Sequence, residues 1–194
     1  LIGRNPDYQA GSTQPLLLNN VDGRAYGMEL MLRHRVSPRP LYGWIAYTLS
    51  RSERFNRGEP QPEWTVFDLD QTHILSSVVG YKWGKGWSFG VTNRWVTGNP
   101  TTERVGARFD ADLQSYRRVF GDENGSRMPA FFQMDMRLER KSALKRNSYT
   151  WFVDVMNVTN HQNLEFTIYQ YDQRAYSGIA GVPFFPSFGL EWSW

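Results

Sequence analysis

Apolar and polar residues alternate with a period of two along most of this chain. That period belongs to strands with one apolar and one polar face. Met134, Met136 and Leu138 alternate with Gln133, Asp135, Arg137 and Glu139. Trp87, Phe89 and Val91 alternate with Ser88, Gly90 and Thr92, and Phe188, Leu190, Trp192 and Trp194 with Ser187, Gly189, Glu191 and Ser193. Met28, Leu30 and Leu32 alternate with Gly27, Glu29 and Arg33. The pattern predicts seven strands, over 23–36, 41–53, 72–84, 87–98, 130–142, 149–160 and 184–194, and no helix. The register of 41–53 is ambiguous by pattern; Ile45, Tyr47 and Leu49 are placed on its apolar face.

The connections alternate in length. Short turns fall at 37–40 (Ser37-Pro38-Arg39-Pro40), at 84–86 (Gly84-Lys85-Gly86) and at 143–148. Long segments fall at 1–22, 54–71, 99–129 and 161–183. An antiparallel meander does this when its short turns share one end and its long loops the other. Loops of this length are uncommon in compact soluble domains. Outer-membrane barrels have short periplasmic turns and long extracellular loops.

Composition narrows the choice. The chain has 194 residues, 40% of them hydrophobic and 15% aromatic, which suits one domain or a piece of a larger one. Its longest apolar run is four residues, Trp44 to Tyr47, against the roughly 20 that a spanning helix needs. Helical membrane proteins are therefore excluded, and barrels are not. Cysteine is absent, which removes disulfides, thiol nucleophiles and cysteine metal sites. A formal charge of +3 is too small an excess to suggest nucleic acid. The first residue is Leu1 and no signal peptide opens the chain, as expected of a processed chain or an internal segment.

Alternation alone fits a soluble barrel or sandwich as well as a transmembrane barrel. Besides loop length, two features favour the membrane. Trp83, Trp87, Trp151, Trp192 and Trp194 sit toward strand ends, where amphipathic rings suit bilayer interfaces. Basic residues gather at the short turns: Arg35 and Arg39, Lys82 and Lys85, then Arg140, Lys141, Lys145 and Arg146. Seven strands would leave the two chain ends on opposite sides, whereas bacterial single-chain barrels have even strand numbers. The expectation is the C-terminal part of a larger barrel, or one strand more, to which residues 1–9 would contribute.

The last residues, Gly189-Leu190-Glu191-Trp192-Ser193-Trp194, resemble the C-terminal signal that the barrel-assembly machinery reads; Gly189, Trp192 and Trp194 hold its defining places. More widely, 27–194 resembles the C-terminal portion of TonB-dependent outer-membrane receptors. Gly27-Met28-Glu29-Leu30 resembles their Gly-x-Glu-apolar strand opening, and Tyr47-Thr48-Leu49-Ser50 their Tyr-x-x-Ser. Asp70-Gln71-Thr72-His73 is similar to their Asp-Gln-x-His, and Thr97-Gly98-Asn99-Pro100 to their Ser/Thr-Gly-x-Pro. Arg127-Met128-Pro129 followed by Asp135-Met136-Arg137 resembles Arg-x-Pro with apolar-Asp-apolar-Arg. Asp154-Val155-Met156-Asn157-Val158-Thr159-Asn160 resembles the penultimate-strand stretch.

The resemblance implies an all-β, antiparallel up-and-down barrel of about 22 strands enclosing a plug. This chain, 1–194, would supply its last seven or eight strands and no plug. It further implies the outer membrane of a Gram-negative bacterium and uptake of a scarce ligand such as a metal–siderophore complex. The implied partners are outer-membrane lipid and lipopolysaccharide, the barrel-assembly machinery, the remaining strands and plug, and a TonB-type energy-coupling protein acting on that plug. Alternatives are a non-transporting structural or adhesive outer-membrane barrel and a small soluble ligand-binding barrel.

Site chemistry is sparse. His34, His73 and His161 lack metal-ligand spacing, and the acid pairs Asp68/Asp70, Asp110/Asp112 and Asp122/Glu123 lack the calcium-loop pattern. No enzyme activity, cofactor or metal is expected. Asn124-Gly125-Ser126 reads as a turn. Glu29, Arg33, Arg94, Gln133, Asp135, Arg137, Glu139, Asp154 and Glu191 form the polar strand faces, where opposite charges on neighbouring strands can pair. Ligand contacts are expected from the long loops, at Arg108, Tyr116, Arg117, Arg118 and Phe120 and at Tyr169, Tyr171 and Tyr176. Arginine with aromatic rings suits a metal–chelate anion or a glycan.

Overall fold

A computed structural model describes residues 3–4, 17–35, 40–144, 147–173 and 176–193. Seven long strands follow the alternating segments: β1 (Val21–His34), β2 (Leu41–Asn56), β3 (His73–Trp83), β4 (Trp87–Val96), β5 (Phe131–Leu144), β6 (Asn147–Met156) and β7 (Phe185–Ser193). They form one antiparallel sheet in chain order, each strand paired with the next. The described residues are all-β and contain no helix. Among the described residues the sheet does not close, and β1 and β7 are its two edges. Pro186 lies in β7, where an edge tolerates a residue without an N–H.

Register fixes the faces. Leu41, Tyr81, Phe89, Leu138, Val153 and Phe188 are successive cross-strand partners from β2 to β7. The next row runs Gly43, Val79, Val91, Met136, Val155 and Pro186. Ile45, Tyr47 and Leu49 pair with Leu32, Leu30 and Met28, so the placement of 41–53 holds. β2 runs to Asn56, further than expected, because its last residues pair with Val21–Gly23 of β1 on one side and with Trp64–Val66 on the other.

This apolar face has no layer over it among the described residues. Leu32 is 65% exposed, Phe188 71% and Leu190 62%; among the described residues Val96, on the opposite face, is the one buried hydrophobic side chain. Rings border the face at both ends. Toward the short turns, Tyr81, Trp83, Trp87 and Trp151 form a chain with centroid spacings of 6.1, 5.9 and 5.0 Å. Arg140 lies over Trp87, and Tyr149 stacks on Trp192. At the other end Tyr47, His73 and Trp95 follow at 6.1 and 6.3 Å, with the Tyr47 hydroxyl 2.8 Å from His73 Nδ1. At about 3.4 Å per residue, the eight to ten residues between the two rows span about 27–34 Å along the strands.

The opposite face is mixed on β1 to β3 and carries most of the charged residues of β4 to β6. Ser88 donates to Glu139 at 2.7 Å, and Arg137 bridges Glu139 at 3.0 Å and Asp154 at 2.8 Å. Opposite charges on β5 and β6 thus pair as expected. Two glycines on this face lie beneath rings, Gly80 under Tyr42 and Gly189 under Phe152. The Gly84-Lys85-Gly86 turn has positive φ at Lys85 (65°) and Gly86 (79°). Trp194, residues 1–2 and 5–9, the turn residues Ser37, Pro38 and Arg39, and Lys145, Arg146 and Arg174 lie outside the described residues.

Candidate functional site

The long connections, which share one end of the sheet, are more ordered than loops. Segment 99–129 contains a hairpin, Arg104–Asp110 with Ser115–Phe120, and 161–183 contains another, Leu164–Tyr169 with Tyr176–Ala180. These strands correct the expectation of plain loops. Neither hairpin belongs to the main sheet, so neither needs an apolar face against a core. Ser115–Phe120 accordingly mixes both characters on both faces.

Polar knots seat the loops on the sheet. Arg127 donates from Nη2 to Asp70 Oδ2 at 2.6 Å and to the Thr72 hydroxyl at 2.8 Å. Its Nη1 donates to the carbonyls of Asp70 and Gly98, each at 3.0 Å. The Ser52 N–H and the Thr72 hydroxyl also donate to the Asp70 carboxylate, at 2.6 and 2.9 Å. The end of β2, the approach to β3, the exit of β4 and the entry of β5 are thereby tied at one point. Burial pushes the Asp70 carboxyl up, but the Arg127, Ser52 and Thr72 donors outweigh it and hold it below the usual carboxylate value.

Asn157 forms the second knot. It is fully buried, with φ of 47°, and donates from Nδ2 to the carbonyls of His161 and Val182. Its N–H donates to Asp135 at 2.8 Å. Asn163 pairs both its amide atoms with the Phe132 backbone. The Asn124 side chain donates to the Val66 carbonyl at 2.8 Å and to Asp68 at 2.6 Å, joining two loops. The turn expected at Asn124-Gly125 is present, with the Gly125 N–H on the Asp122 carbonyl.

The two hairpins touch. Arg104 donates to Gln173 at 2.6 Å and lies 3.4 Å above the Tyr169 ring. Tyr116 and Tyr171 meet edge to face at 5.6 Å, and the Tyr171 hydroxyl donates to the Gln114 carbonyl. Between the loops is a cleft of about 430 Å³ lined by Phe120, Tyr169, Arg104, Thr101, Thr167 and Arg127, among others.

The expected ligand residues divide into three places. Tyr116 and Tyr171 are in contact, and Arg118 is on the same hairpin face as Tyr116. Arg108 and Arg117 are cross-strand partners on the other face, where Arg117 pairs with Asp110 at 2.6 Å. Phe120 and Tyr169 line the cleft. Tyr176 begins a hairpin strand; its side chain lies outside the described parts. These groups do not converge on one point. Arg104, an arginine of the expected loop, joins the hairpins together with two glutamines that the sequence did not mark, Gln114 and Gln173. Amide side chains carry no period, so the pattern could not mark the two glutamines. The cleft offers hydroxyls, two rings and paired cations, which suits a polar ligand with a flat or cyclic face.

No family model, no curated protein and no solved structure matches the chain.

Proposed function

We propose that this chain is wall and outer loops of a TonB-dependent transporter in the outer membrane of a Gram-negative bacterium. The observation that supports the wall is the uncovered apolar face, bounded at both ends by aromatic rows and backed by a charged face. Exposed apolar patches on soluble monomers rarely exceed a few hundred Å². A lipid-facing band about 25 Å tall between aromatic girdles, with a polar interior, is the barrel solution. The two open edges fit a wall completed by further strands to a barrel of about 22, around a plug.

Transport of a scarce ligand such as a metal–siderophore complex rests on the resemblance of the strand-end sequences. The long loops would meet the ligand outside, and a TonB-type protein would act on the plug. The assembly machinery would read the last strand, in which Gly189 and Trp192 lie on opposite faces.

A cysteine-free chain suits a direct test. Single Val79→Cys and Ser76→Cys variants of the protein in its native barrel, each carrying a fluorophore, are reconstituted with spin-labelled lipid. Strong quenching at position 79 and weak quenching at 76 is expected. Equal quenching at both would overturn the wall reading. Energy-dependent uptake of iron chelates, lost when the gene is deleted, is expected of a transporter; unchanged uptake would leave a structural or adhesive barrel.

A further inference from the structure

A second tie, apart from the Arg127 knot, joins segments 54–71 and 99–129. Asn124 Nδ2 donates to the Val66 carbonyl at 2.8 Å and to Asp68 Oδ1 at 2.6 Å. Both acceptors are oxygens and one is anionic, so the tie needs an amide at position 124. A carboxylate there has no hydrogen to give. The residue that follows is Gly125. With no Cβ beside it, the Gly125 nitrogen can approach the Asn124 side-chain carbonyl closely. The fold holds that approach back twice. The Gly125 N–H donates to the Asp122 carbonyl at 3.1 Å, and the carboxamide is pinned by its two acceptors. Asn124 itself is in the left-handed region, with φ of 52°, and its N–H donates to the Thr102 hydroxyl at 3.0 Å. A cleft of about 480 Å³, lined by Val66, Asp68, Glu123 and Asn124 among others, brings solvent to the tie.

We propose that Asn124 is a hydrolytic modification site that makes opening of this loop junction permanent. Opening comes first, because it frees both the carboxamide and the Gly125 nitrogen. That nitrogen attacks Cγ; the N–Cγ bond forms, the Cγ–Nδ2 bond breaks, and ammonia leaves with the Gly125 proton. Water then adds to either carbonyl of the succinimide and opens it. An aspartate or an isoaspartate is left at position 124. Its charge faces Asp68 and the Val66 carbonyl, and like charges at hydrogen-bond distance repel. The tie therefore does not re-form. The Arg127 knot at the base of the loop is untouched, so 99–129 stays anchored to the sheet while its turn comes away from 54–71.

The test keeps the complete protein either folded or in urea at mildly alkaline pH. Conversion at position 124 is read by peptide mass and by an isoaspartate-specific methyltransferase. The folded chain should convert about tenfold more slowly, the order expected for a hydrogen bond to a charged group. Asp68→Ala should remove most of that protection when folded and change nothing in urea. Hydrogen exchange across 121–125 should be about tenfold faster in Asn124→Asp than in the parent. Asn124→Asp/Asp68→Asn, which moves the amide to the other partner, should recover protection. Should Asn124→Asp not fold, parent protein converted by ageing gives the same comparison. Equal conversion rates in folded and unfolded chains, no conversion in either, or unchanged exchange after conversion would overturn the proposal.

Discussion

Asp70 has no exposed side-chain surface, and its oxygens accept from Ser52, Thr72 and Arg127. Its carboxyl is held below the usual range, so the folded form binds its proton more weakly than the unfolded chain. Its contribution to stability is complete above the ordinary carboxylate value, about 3.9, and is lost as pH falls through the lower folded value. Asp70→Asn should cost about 3–5 kcal/mol near neutrality, because it leaves Arg127 without its counter-charge. Urea unfolding followed by tryptophan fluorescence should show that gap closing as the pH drops below about 3.9. A gap independent of pH would mean that the carboxylate charge does not hold the knot. The participants Asp70, Thr72, Gly98 and Arg127 all lie in short strand-end segments that stand out in the sequence. Their meeting at one point was not legible there, since 57 residues separate Asp70 from Arg127.

Among elements, the seven long strands were legible to within about four residues at each end, because each has one face that must be apolar. The outer hairpins were not, because no face of theirs meets a layer. Side-chain contacts hold them together, with Arg104 central. Arg104→Ala should therefore release one hairpin from the other while the sheet remains intact. Limited trypsin cleavage at Arg108, Arg117 and Arg118 is expected to rise about tenfold, the order of one charge-assisted hydrogen bond. Unchanged cleavage would show that the tyrosine contact between Tyr116 and Tyr171 suffices.

For the whole molecule, the two faces of one sheet meet different surroundings. In the membrane reading, Val79→Arg places a charge in hydrocarbon and should cost about 2–4 kcal/mol when folding is titrated in lipid vesicles. Ser76→Arg, toward the polar face, should cost less than about 1 kcal/mol, as surface changes do. Equal costs would count against lipid on the Val79 side. Val79 is already 41% exposed, so a water-facing sheet would accept either arginine.

The sequence by itself determined the strands, their antiparallel order, the two faces and which connections are long. Period-two alternation and turn chemistry are local, and a one-residue slip would invert every side chain. Only the tertiary structure decided which distant residues meet: Asp70 with Arg127, Arg104 with Gln173, Tyr116 with Tyr171, and the arginines around Glu53. It also decided that, among the described residues, nothing covers the apolar face. Such facts depend on how the strands stack across the sheet, a long-range arrangement that no local pattern encodes.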